Sequence, residues 1–172
     1  MNTSRIIASY EKDTAPLERR LEAAARCETM GFWVAFHFDP MFRYSGWENE
    51  YRRVVQAIYA TINNPEKIAW ISLGGFRTMP SLKKLHYDNP EYRSMFAGEM
   101  VLGEDKKLRY FRPIRVEFYR AMQDEIEKYY PETTLYLCME SPEVWKESGM
   151  IKRIPRGLPR YLDSRAEKML FY

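Results

Sequence analysis

Histidine and cysteine are scarce in this chain, with two of each in 172 residues. Cys27 and Cys138 lie far apart and have no CxxC spacing and no Cys or His companion, so neither a zinc nor an iron-sulfur site can be assembled from them. Both are expected to be buried thiols in a reducing compartment. Neither His37 nor His86 has a carboxylate at ligand spacing, which excludes an HExxH site and a facial-triad metal site. Gly74-Gly75 forms neither GxGxxG nor a Walker loop, so no glycine-rich phosphate cradle is present. No run approaches the roughly 20 apolar residues of a membrane span, and the first residues carry no signal-peptide pattern. A cytoplasmic protein with no membrane partner is expected. Internal repeats and low-complexity segments are also missing.

Aromatic residues, by contrast, are abundant, at 15% of the chain with 13 Tyr and 4 Trp, and apolar residues make up 45%. This composition and length suit one domain with one substantial core. The net charge is +3, and the excess is concentrated at the end, where Lys152, Arg153, Arg156, Arg160, Arg165 and Lys168 face only Asp163 and Glu167. Residues 1–148 therefore read as the folded unit and 149–172 as a basic, proline-containing tail that wraps irregularly, with a last helix possible over Tyr161 to Tyr172.

The chain is organised around Gly31 to Trp47, GFWVAFHFDPMFRYSGW. The run from Phe32 to Phe38 is apolar on both pleat faces and is expected to be a buried parallel strand, stopped at Asp39-Pro40 where proline removes a ladder donor. Before it, the first eleven residues hold Ile6 and Ile7 as their one strongly apolar pair. Leu17, Leu21, Ala24 and Cys27 then recur at helical spacing, with Asp13 or Thr14 as cap and Gly31 as stop. After it, Tyr51, Val54, Val55, Ile58 and Ile62 mark a second helix, ended by Asn63-Asn64-Pro65. Ile68 to Leu73 is a second buried strand closed by Gly74-Gly75.

Two αβ units with short loops predict parallel strands. Pro80 to Tyr87 suggests a short helix, and Glu99 to Leu102 with Leu108 to Phe111 suggests a hairpin turning at Gly103-Glu104-Asp105-Lys106. Pro113 opens a helix whose Ile114, Phe118, Met122, Ile126 and Tyr129 share a face, stopped by Pro131. Thr134 to Cys138 is a third parallel strand, and Pro142 to Glu147 a short helix.

In parallel sheets, ligand chemistry collects at the carboxyl ends of the strands. That rim would gather His37 and Asp39, then Ser72, Gly74 and Arg77, then Cys138 and Glu140, a set suited to an anionic or amino-acid-like ligand. Four of them also have a structural reading: His37 as a hydrogen-bonded core residue, Asp39 in a local turn, and Arg77 paired with Glu140. The hairpin interleaves cations and rings in Lys106, Lys107, Arg109, Tyr110, Phe111 and Arg112, a pattern that grips phosphates and stacks on bases. Alternatively it is a solvated hairpin with ordinary salt bridges.

Five segments in order carry a resemblance: YEKDTAPLERRLEAA (Tyr10 to Ala24), GFWVAFHFDPMFRYSGWENEY (Gly31 to Tyr51), GGFR (Gly74 to Arg77), GEMVLGEDKKLRYFRP (Gly98 to Pro113) and LYLCME (Leu135 to Glu140). Together the chain resembles the carboxyl-terminal half of spore photoproduct lyase and related radical-SAM proteins, over roughly Asn2 to Trp145.

The resemblance implies the α/β fold of an incomplete (β/α) barrel: about three parallel strands with flanking helices, plus a small β-hairpin, cut from a partial (β/α)6 barrel. It also implies S-adenosylmethionine and a 4Fe-4S cluster in the full-length family, with thymine-dimer spore photoproduct in DNA as substrate. The family's CxxxCxxC precedes the matched region, so this chain alone is expected to bind neither cofactor and to need the missing amino-terminal half as partner. Asn2 matches the Asn of a cofactor contact, and Asp39 matches a position lining the cofactor site where better-known lyases hold alanine. With them, His37, Ser72 and Arg77 form the expected cofactor-binding set. Lys106, Lys107, Arg109, Tyr110 and Arg112 form the expected nucleic-acid-binding set, and no catalytic residue is assigned. The other reading is a stand-alone αβ binding or assembly module that oligomerises through its open sheet edge.

Overall fold

The computed structural model describes residues 1–86, 89, 92, 94–96 and 99–170. Three strands, β1 (Val34–Met41), β2 (Ile68–Gly75) and β6 (Leu135–Leu137), form one sheet in the order β1-β2-β6, all parallel. The helices α1 (Ser4–Tyr10), α2 (Leu17–Thr29), α3 (Trp47–Thr61), α4 (Pro80–His86) and α5 (Arg112–Tyr129) lie between or before these strands, and α6 (Pro142–Glu147) and α7 (Leu158–Leu170) follow. Tyr87, the last residue of the helix expected from Pro80, and the last two residues, 171–172, lie outside the described residues. So does Gly98 at the head of the hairpin segment.

One face of the sheet is packed and the other is open. Val34, Phe36 and Phe38 of β1, Ile71 and Leu73 of β2, and Leu135 and Leu137 of β6 are buried. They join one core with Tyr51, Val54, Val55 and Ile58 of α3 and Phe118, Met122 and Ile126 of α5. The alternate residues of β1, Ala35 and His37, are exposed.

The expectation of a strand buried on both faces is corrected here: β1 is an edge strand whose second face meets solvent, and Phe32, outside the strand, is 59% exposed. Nor does Pro40 end it. At an edge, proline's missing donor leaves no ladder bond broken, and pairing resumes at Met41 with Gly75 after a register shift, across a cis Asp39-Pro40 bond.

Other boundaries moved for local reasons. Neither Asp13 nor Thr14 caps α2, which begins after Pro16 with no side-chain cap; Thr14 donates to the Glu11 carbonyl at 2.8 Å, and Arg20 donates to the Ala15 carbonyl at 2.7 Å. Cys27 is exposed on α2 rather than buried. The first residues form α1, capped by the Thr3 side chain, with Ile6 and Ile7 both buried.

The end of the chain is also more regular than expected. A 3-10 turn over Met150–Arg153 leads into α7. No residue of α7 is buried, but Arg165 reaches back to the carbonyls of Glu66, Ile68 and Ala69 at 2.5, 2.7 and 3.0 Å and sits over the Trp33 ring. These bonds dock α7 at the starting end of β2.

The hairpin forms as expected from β4 (Met100–Leu102) and β5 (Leu108–Tyr110), and gains a third strand, β3 (Arg77–Thr78), in the order β3-β5-β4. This second, antiparallel sheet follows directly from the end of β2, so the hairpin is tied to the strand-end rim.

Candidate functional site at the strand ends

Parallel register puts His37 opposite Ser72 and Ser72 opposite Tyr136. Residues in register share a face, so these three make a polar row across the open side. Ser72 Oγ lies 2.7 Å from His37 Nδ1, and Tyr136 flanks Ser72 on its other side. Ser72 is only 1% exposed although it faces this side, because its two neighbours cover it. His37 is thus hydrogen-bonded but exposed, not a core histidine.

Two residues further along, Asp39, Gly74 and Cys138 form a second row. A Cβ on Gly74 would stand 2.5 Å from Asp39 Oδ1 and 2.7 Å from its Cγ. Only the missing side chain lets the carboxylate lean across β2, close enough for its charge to act on the Cys138 thiol. Burial, and then the Asp39 carboxylate, push the Cys138 thiol from 9.0 up to about 11. At neutral pH this thiol stays protonated and is no nucleophile.

Asn2 sits behind the rim at 2% exposure. Its amide donates to Glu11 Oε1 and to the Pro40 carbonyl, both at 3.0 Å, and accepts from the Tyr51 hydroxyl at 2.6 Å. Every polar atom of that amide is therefore engaged inside the protein, holding the first residues against the end of β1. A hollow of about 700 Å³ opens here, lined by Asn2, Tyr10, Arg20, His37, Asp39 and Tyr92.

The expected Arg77–Glu140 pair is not formed. Glu140 is taken by Arg115, with Nε 3.1 Å from Oε1, and by the Tyr119 hydroxyl, which donates to it at 2.5 Å. Tyr119 accepts in turn from the Gly75 backbone N–H at 2.9 Å, so α5, β2 and the end of β6 are tied at one buried point. Burial first, and then the Glu140 carboxylate, hold the Tyr119 phenol protonated well above its ordinary range. Sequence reasoning missed Arg115 and Tyr119, which a helical count from Pro113 would have put on the face flanking Phe118 and Met122.

On the hairpin, Lys106 is exposed and Lys107 half-buried. Arg109 is bound to Asp105, and Arg112 to Glu147 at 3.4 Å. Tyr110 is corrected: it is 1% exposed and accepts the Arg43 backbone N–H at 3.1 Å, so its ring cannot stack on a base. Phe111, at 49% exposure, is the accessible ring of this segment.

Among the described residues, no group of three or more His, Cys, Asp or Glu side chains converges to hold a metal ion. Cys27, exposed on α2, and Cys138, at the end of β6, are the chain's two thiols and do not make the thiolate set an iron-sulfur cluster takes. No described helix is long and apolar enough to cross a membrane.

Comparison with known proteins gives this rim a context. The sequence model of the family described as spore photoproduct lyase matches residues 1–73, which carry β1, β2 as far as Leu73, Asn2, His37, Asp39 and Ser72. The chain is spore photoproduct lyase-like over part of its length. Two curated relatives, the spore photoproduct lyases of Bacillus subtilis (strain 168) and Clostridium acetobutylicum, are 31% identical over 62 residues and 36% identical over 56 residues. Those stretches cover 36% and 33% of this chain but only 18% and 17% of the relatives.

Solved spore photoproduct lyase structures share the fold over 80% of this chain. One complexed with dinucleoside spore photoproduct has a TM-score of 0.62, and a mutant with bound AdoMet and the same dinucleoside has 0.63, both at 19% identity. This chain spans 42% of the length of each. Within the part of that fold which this chain shares, the parallel sheet is open on one face, and this chain's polar rows stand on that open face.

Proposed function

We propose that this chain is part of a spore photoproduct lyase-like DNA-repair enzyme of the radical-SAM class, one that reverses the carbon–carbon bond of thymine lesions. Residues 1–148 furnish the half-barrel and 149–172 the basic tail. The observation that carries this reading is the one-sided sheet: a face covered by helices outside, and an uncovered face bearing the His37–Ser72–Tyr136 and Asp39–Cys138 rows. An inner barrel wall has this form when the remaining strands are supplied by another half.

In the completed enzyme, AdoMet lies against His37, Asp39 and Arg77, while the buried Ser72 holds the His37 ring at 2.7 Å and Asn2 positions the end of β1 behind them. A cluster-bearing amino-terminal half holds the 4Fe-4S cluster, and without it the chain is inactive. The setting is the cytoplasm, where DNA is the macromolecular partner.

The hairpin supplies the DNA contacts. Lys106 and Lys107 are its accessible cations, while Arg109 and Arg112 are already partnered. Each phosphate contact contributes roughly 0.7 to 0.9 to the log–log salt slope of binding. The Lys106→Ala/Lys107→Ala variant is therefore expected to bind an oligonucleotide more weakly, with a slope shallower by about 1.4 to 1.8. Fluorescence anisotropy between 50 and 200 mM salt, a range on the order of that used to resolve such slopes, checks this. An unchanged affinity and slope remove the hairpin from the DNA-facing surface.

A further inference from the structure

Arg77 and Arg109 are direct cross-strand partners in the β3–β5 ladder. Residues so placed point to the same face with Cβ atoms about 5 Å apart, and like charges there are destabilising. One described carboxylate serves this pair: Asp105 binds Arg109 Nη2, while Glu140, which could have served Arg77, is committed to Arg115 and Tyr119. The pairing is also incomplete at the level of single atoms. Arg77 Nη1 and Arg109 Nε are both buried with no hydrogen-bond partner.

Buried donors of a charged group are costly to leave unmade. Arg109 is held in place all the same: its side chain is 13% exposed and lies over the turn at Gly103, where a Cβ would come within 2.9 Å of the guanidinium carbon. Arg77 stands close enough to Cys138 for its charge to act on the thiol, so the two guanidinium groups connect the strand-end rim to the hairpin.

We propose that Arg77 and Arg109 together bind one oxyanion, with Arg77 as the primary ligand. Guanidinium groups match the planar faces of phosphate and carboxylate and hold them by charge-assisted bonds. Two sources of that anion meet at this place: the phosphodiester of a nucleic acid and the carboxylate of an amino-acid-like cofactor. Asp105 is the internal competitor for Arg109, so its removal should tighten the site. The inference rests on reading the rim and hairpin as the ligand-binding side of the chain, and adds the chemical class that this side accepts.

The test is titration of the chain with inorganic phosphate at constant ionic strength, with chloride as the control, read from the arginine Nε–H NMR signals. Saturable shifts of Arg77 and Arg109 with phosphate and not with chloride are expected. Arg77→Gln should weaken binding about tenfold or more, as loss of charge-assisted hydrogen bonds does. Arg77→Lys should retain part of the affinity, and Asp105→Asn should increase it. Competition by thymidylyl-thymidine assigns the site to a phosphodiester, and competition by AdoMet assigns it to a carboxylate.

Absent shifts, equal shifts with chloride, or wild-type affinity in Arg77→Gln overturn the proposal. If Arg77→Gln fails to fold, the wild-type shifts and Arg109→Gln decide. The Lys106→Ala/Lys107→Ala variant separates this site from the DNA-facing reading. Retained phosphate binding with lost oligonucleotide affinity supports both; oligonucleotide binding by a wild-type chain that ignores phosphate sinks the arginine site alone.

Discussion

Replacing Arg115 by Met is expected to cost about 3 to 5 kcal/mol of folding stability, the range for stranding one member of a buried ion pair. Arg115 and Glu140 have side chains only 6% and 5% exposed. Losing the guanidinium leaves the Glu140 carboxylate buried with Tyr119 as its remaining hydrogen-bond donor, and leaves the Tyr110 carbonyl without the Arg115 Nη1 that donates to it at 2.6 Å. Combining Arg115→Met with Glu140→Leu should recover part of the loss, because the charge that was stranded is gone. Urea unfolding of the three variants measures both effects. A single variant within about 1 kcal/mol of wild type, the range of exposed pairs, would show that the pair does not hold the rim together.

The second large effect concerns Cys138. With its thiol pushed from 9.0 to about 11, the thiolate fraction at pH 8 is about 100-fold below that of an unshifted group. In a Cys27→Ser background, thiolate absorbance should rise with a midpoint near 11. Asp39→Asn removes the carboxylate's charge and should lower that midpoint, while leaving it above 9.0 because burial remains. Gly74→Ala, whose added carbon displaces Asp39, should act in the same direction. A group whose folded value is raised stabilises the fold below its unfolded value and loses that contribution as pH climbs through the folded one. The contribution of Cys138 is therefore complete below about pH 9 and fades between there and about pH 11. A wild-type midpoint at 9.0 would place Asp39 elsewhere.

Much of this architecture was legible from the residues. The three parallel strands, the helix after Trp47, the helix from Arg112 and the hairpin turn each rest on strong periodicity or on Gly and Pro punctuation, which act locally. What was not legible depends on neighbours. Whether Phe32 to Phe38 is covered on one face or two is decided by where the sheet ends. Tyr110 looks like a surface ring until the hairpin folds onto Phe76 and Phe118, whose rings lie 6.3 and 5.8 Å away. The partner of Glu140 could not be chosen between Arg77 and Arg115 without knowing that α5 crosses the end of β6. The last helix was blurred by Pro155 and Pro159, and by an anchor, Arg165, that bonds carbonyls about 100 residues earlier in the chain.

The site was legible in outline for a simpler reason. Strand-end positions follow from the strands themselves, so His37, Asp39 and Ser72 fall together once the parallel register is granted. The Asp39–Cys138 contact across Gly74 needed coordinates, because it depends on the absence of one Cβ. Arg77 lies on β3, a two-residue strand too short to leave a periodic signal, so its cross-strand pairing with Arg109 of β5 was not legible.

AdoMet binding at this rim is the central expectation. Calorimetric titration of AdoMet into the enzyme that unites this chain with a cluster-bearing amino-terminal half should show saturable binding, weakened about tenfold or more by Asp39→Leu, the scale of a lost charge-assisted contact. Equal AdoMet affinity in the two proteins would contradict it, and would leave Asp39 as a residue that only shapes the end of β1.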